Sequence, residues 1–182
     1  MTLENPTQTA APPKSPFAAA DVAAILRERG WLESATWPEL EVWLSEAAAL
    51  LGPHAADREA LVGLLRLVFE YDAGEILRLR ENHVVLAREG AREVIRELAH
   101  LVLEGAEVNS DRFKEIVRAL KTKLRFRGRE LFHPIRLALA GRAGEGELDR
   151  VILLLDRAAR SPFAVPVKST QQRMLEFCAA LE

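Results

Sequence analysis

A single cysteine among 182 residues, Cys178, excludes an internal disulfide and fits a reducing compartment. No apolar run approaches the roughly 18 residues of a membrane span, and the N-terminus has no basic start followed by an apolar stretch. The chain is therefore expected to be cytoplasmic. There is no Gly-rich phosphate loop, no His-Glu-x-x-His and no cysteine pair at metal spacing. The four histidines, His54, His83, His100 and His133, share no metal-ligand spacing and read as surface or capping residues. Cys178 sits on the apolar stripe of the last helical segment, where a free cysteine behaves as a small hydrophobe. Glu145 and Glu147 are two positions apart and do not face each other on a helix. No catalytic residue, metal or cofactor is expected, and the chain does not read as an enzyme.

What remains is a globular composition. Apolar residues make up 49% and charged residues 29%, enough to bury a core in one domain or two small ones. No segment alternates apolar and polar residues long enough for a strand, whereas helical spacing recurs throughout. Residues 1–17 are rich in Thr, Pro and Ala and read as a disordered lead-in. Val22, Ile25 and Leu26 open the helical pattern, which Gly30 ends. Thr36 is placed to cap a second helix, with Pro38 in its first turn. Asp57 caps a third, and a long helix is expected from about Val84 to Glu104. Asn109, Ser110 and Asp111 supply the next cap, Pro134 opens a short helix that Gly141 closes, and Ser169 or Thr170 caps the last. The expectation is an all-α fold of about nine helices. A seam near Gly105 to Asn109 divides it into subdomains 18–106 and 107–182.

The strongest charge signal lies beyond that seam. Arg112, Lys114, Arg118, Lys121, Lys123, Arg125, Arg127, Arg129, Arg136 and Arg142 stand against only Glu115 and Glu130, in a chain of net charge -2. Lys114, Arg118, Lys121 and Arg125 step by helical intervals and form one stripe. Such a stripe attracts phosphate backbones through counterion release. A solvated face balanced by acidic helices elsewhere would have the same composition.

Within this region, Leu131-Phe-His-Pro-Ile-Arg-Leu-Ala-Leu-Ala-Gly-Arg142 closely resembles the Pro-Leu-Arg-x-Ala-Leu-Thr-Gly segment of the anticodon-binding domain of bacterial glutamyl-tRNA synthetase. The flanks are similar too. Asp111 to Gly128 resembles the helix and basic-glycine turn before the motif, and Gly146 to Leu155 the aliphatic helix after it. Ala47 to His54 and Ala60 to Tyr71 are similar to the helices that open the region, so the resemblance covers roughly 19–156.

The resemblance implies a two-part helical bundle, the α-helix cage, that docks the anticodon stem-loop of a tRNA, tRNA-Glu in that family. The arginine after Pro-x and the loop beyond the Gly touch the first anticodon base there. Here these are Arg136, Glu145, Gly146 and Leu148, with Leu148 expected to pack on a splayed base. Two departures weaken the implied contacts. Glu145-Gly146 replaces a Thr-Pro or Gly-Pro, and His54 stands where many members have an arginine that reads the last anticodon base. The family's catalytic motifs have no counterpart, since neither His133-Pro-Ile-Arg136 nor Lys121-Thr-Lys123 matches them. The chain thus resembles a freestanding, truncated tRNA-binding region without aminoacylation of its own. The alternatives are a protein-interaction module that has lost RNA binding, or one subunit of a split synthetase with a protein partner.

Overall fold

The computed structural model describes residues 14–182, so most of the expected lead-in lies outside the described residues. It contains ten α-helices and one 3-10 turn, with no strand among the described residues. The helices are α1 (Ala19–Glu28), α2 (Leu40–Leu51), α3 (Arg58–Phe69), α4 (Ala73–Arg78), α5 (Arg80–Leu86), α6 (Ala91–Leu103), α7 (Ser110–Lys123), α8 (Arg129–Ala140), α9 (Glu147–Ala159) and α10 (Thr170–Leu181). The 3-10 turn Gly52–His54 continues α2. None of these helices is long and apolar enough to cross a membrane.

Asp57, Asn109 and Ser169 cap the helices expected of them, and Asp72 caps α4, a helix the sequence pattern did not single out. The side chains of Asp57, Asp72 and Asn109 accept from amides three residues on, at 2.8 to 2.9 Å. Ser169 and Gln172 exchange bonds in a capping box that opens α10.

Three local expectations give way. Thr36 does not cap α2, which begins at Leu40 without a side-chain cap. Trp37 instead packs edge-on against Phe163 at 5.1 Å, and its carbonyl accepts from the Leu40 amide across the turn that leads into α2. The long helix of Val84 to Glu104 is two helices. Gly90, at φ 80, breaks it, and the Phe126 ring lies where a Cβ at Gly90 would be, at 2.0 Å. Pro134 lies inside α8 rather than at its start. The carbonyl it leaves without an amide belongs to the exposed Glu130, and α8 runs through.

One hydrophobic core runs from Val22 to Phe177 and draws residues from both sides of Gly105–Asn109. α2 and α3 pack on α9, α9 and α6 pack on α8, and α10 lies against α4, α6 and α8. Trp31 stacks on Phe69 at 4.9 Å, and Trp43 and Phe163 meet Phe69 edge-on, joining α2 and α3 to the segment between α9 and α10 in an aromatic cluster. The α8–α9 loop and the exposed side of α7 are left at the surface.

Candidate nucleic-acid interface

α7 is amphipathic, with Phe113, Ile116 and Leu120 buried and Lys114, Arg118 and Lys121 exposed. Arg125 does not continue this stripe. α7 ends at Lys123, and Leu124 turns extended. Leu124 and Phe126 then alternate into the core, leaving Arg125 and Arg127 outside. Arg127 donates to the carbonyls of Lys121, Leu124 and Phe126, so it caps the C-terminus of α7 and fixes this bend.

Many of the cations have carboxylate partners within the chain. Lys114 lies 4.0 Å from Asp111, Lys123 pairs with Glu97, Arg125 with Glu89, and Arg142 approaches Glu147 at 4.0 Å. The Lys123 ammonium holds Glu97 below the usual carboxylate range. Pairs whose cation is exposed contribute little to stability, and these cations stay within reach of other anions. Arg118 and Lys121 have no carboxylate partner among the described residues. Lys121 instead reaches over the ring of Phe132 on α8, at 5.6 Å.

Arg136 faces inward. It is only 7% exposed, and its Nε and Nη2 donate to the two carboxylate oxygens of Asp149 at 2.8 and 2.9 Å. Its Nη1 donates to the Gly144 carbonyl at 2.7 Å. The fork therefore ties α8 to the first turn of α9 and to the loop between them. Its guanidinium also lies 4.8 Å from the Phe132 ring centroid.

Leu148 is fully buried. Glu145 and Gly146 are exposed at the loop tip, where Arg129 pairs with Glu145 at 3.4 Å. Gly141, at φ 82, ends α8 and turns the chain into this loop. His54 is exposed at the end of the 3-10 turn, with no side-chain hydrogen bond among the described residues.

Arg136, Gly144, Glu145, Gly146, Leu148 and Arg142 thus come together around one loop, and Phe132 links that loop to α7 through Lys121. No described bond connects His54 to this group. Sequence reasoning missed Asp149, because a carboxylate 13 positions from Arg136 on another helix gives no periodic signal. It also missed Phe132, whose i,i+4 relation to Arg136 was the available hint.

His133 adds a titratable group beside the loop. Arg88 donates to its Nδ1 at 2.9 Å, and a guanidinium only donates, so that nitrogen carries no proton. Burial, with Arg88 close by, holds the imidazole below its ordinary pKa. Among the described residues no group of His, Cys, Asp and Glu is arranged to hold a metal.

A family model described as the anticodon binding domain matches residues 18–159. Glutamate–tRNA ligase 2 of Syntrophus aciditrophicus (strain SB) is 28% identical over 114 residues, covering 62% of this chain and 23% of that protein. Glutamate–tRNA ligase of Bacillus licheniformis is 29% identical over 115 residues, covering 63% of this chain and 23% of that protein. The chain therefore spans about a quarter of the length of these curated relatives. No solved structure matches it.

Proposed function

This chain belongs to the anticodon binding domain family, and from that membership we propose that it binds tRNA through the anticodon arm and carries no aminoacylation activity of its own. The observation that carries the reading is the family match, which contains the whole of α7, α8 and the α8–α9 loop. The exposed Lys114, Arg118 and Lys121, with Lys123, Arg125 and Arg142 nearby, follow the RNA backbone. These contacts position the duplex and carry no sequence information. Arg127 acts through the bend it caps. Arg136 and Leu148 shape the loop from inside, so that Glu145 and Gly146 present its tip. His54 meets the RNA apart from this group, as a short side chain that discriminates little. The cytoplasm is the compartment where such a ligand is found.

Glu145 in the loop, Glu147 at the start of α9, and the ion pairs that Lys114, Lys123 and Arg125 make within the chain favour a second reading in which the scaffold docks a protein instead. Titrating total tRNA at roughly 50 and 150 mM salt separates the two. We expect binding that weakens steeply with salt. The double variant Arg118→Ala/Lys121→Ala should lower the salt slope by about 0.7–0.9 for each phosphate that is no longer neutralised. No binding at the lower salt removes the tRNA reading and leaves the protein-docking one. Glutamate-dependent pyrophosphate exchange by these 182 residues alone would overturn the non-catalytic part.

A further inference from the structure

We propose that Phe132 is a stacking platform for one unpaired base of a bound RNA, uncovered when Lys121 leaves its ring for a phosphate. The inference rests on the tRNA reading above and assigns the base contact to a residue that reading does not name. A base-binding surface on this face needs an apolar or aromatic group within reach of solvent. Leu148 does not qualify, because it is fully buried. Arg136 does not either, because its fork is engaged by Asp149 and Gly144. Of the two rings next to α7, Phe126 is buried against Gly90, whereas Phe132 is only half-buried.

Its neighbours differ in a way that suits the role. Arg136, one turn along α8, is buried and held on three bonds, so it fixes the ring from within. Lys121 is exposed, has no carboxylate partner among the described residues, and sits in the last turn of α7. An exposed cation–π contact is weak, and a phosphate oxygen is a stronger partner for an ammonium. When Lys121 transfers, a base takes its place over the ring. Every base has a π-face, so the platform tolerates sequence and requires an unstacked loop. Nearby cations that hold the backbone bring such a loop to it.

The test uses anticodon stem-loop RNAs with 2-aminopurine at each unpaired position in turn, titrated with the full chain. We expect the wild type to quench one position strongly on binding. Phe132→Leu keeps the apolar volume and should lose that quench and about 5- to 20-fold in affinity. Phe132→Tyr should restore both. Lys121→Ala should keep the quench while lowering the salt slope. Circular dichroism and urea unfolding of each variant confirm that it is folded. Equal quenching and affinity for wild type and Phe132→Leu overturn the platform and leave the tRNA reading intact. Failure of the wild type to bind any stem-loop or whole tRNA overturns both.

Discussion

Two buried arginines organise the two regions of this molecule, and they do so with opposite kinds of partner. Arg136, on α8, is held by a carboxylate and one carbonyl beside a surface loop. Arg173, on α10, is fully buried, and among the described residues no carboxylate accepts from it. It donates to the carbonyls of Leu67 and Val68 at the end of α3, of Leu139 at the end of α8, and of Lys168. Its guanidinium lies 4.5 Å from the Tyr71 ring. The last carbonyls of a helix have no intrahelical amide and carry the negative end of its dipole, so one buried cation satisfies two helix ends at once. Burial lowers the Arg173 pKa to about 10, which leaves it protonated at neutral pH. The difference separates architecture from interface. Arg173 lies beyond residues 18–159 and locks the fold, whereas Arg136 lies within the family's own motif and sets a loop.

The largest expected effect breaks the Arg173 side. Arg173→Met keeps a long apolar stem but leaves several buried carbonyls without donors. It should cost about 3–5 kcal/mol of stability, read as a fall in the urea midpoint. Molecules that remain folded should bind tRNA as the wild type does. An unchanged midpoint would show that the four bonds are not needed to hold α10.

A smaller effect is expected on the other side. Arg136→Ala removes the bidentate tie and strands Asp149, which is partly exposed. The loss should be about 2–3 kcal/mol, below that of Arg173→Met. Asp149→Asn keeps the shape but weakens the tie, and should lie between wild type and Arg136→Ala. Both should loosen the loop from Gly141 to Glu147, seen as faster amide hydrogen exchange there and unchanged exchange in α10. Equal acceleration in both regions would mean that the two arginines serve one cooperative unit.

The same contrast explains how much was legible in the sequence. The all-helical fold was, because the apolar spacing of α3, α6, α7 and α9 is set by local burial and the caps by short-range hydrogen bonds. The split at Gly90 was not, because it depends on Phe126, 36 positions away, lying where a Cβ would be. The departure of Arg125 from the stripe depends on Arg127 capping α7, a local event without periodic signature. At the candidate interface the motif gave the residues around the loop, but not their direction. Whether Arg136 faces RNA or Asp149 is decided by where α9 packs, and nothing near Arg136 in the chain encodes that. The role of Arg173 was equally hidden, since its acceptors are backbone carbonyls that any residue supplies.

The smallest expected effect sharpens the comparison through pH. Neither main ionisable group on the Arg173 side titrates near neutrality. Arg173 has its pKa at about 10, and burial pushes the Tyr71 hydroxyl, which donates to the Ala138 carbonyl at 2.5 Å, above its ordinary range. On the Arg136 side, His133 is depressed below its ordinary value of 6.5. Burial is the main cause. Arg88, Arg129 and Arg136 add to it and Glu145 partly opposes it. Between the folded value and 6.5 the unfolded chain binds more protons at this site than the folded one, so its contribution to stability rises with pH. That contribution is complete above 6.5, shrinks as pH falls through the window, and is gone below the folded value. The urea midpoint of the wild type should therefore drop more between pH 7 and about 5.5 than that of His133→Gln, by a small margin because the ring is partly exposed. Adding Arg88→Ala should raise the His133 pKa and narrow the gap from the wild-type side. If wild type and His133→Gln lose stability in parallel across that range, His133 does not couple the loop region to pH.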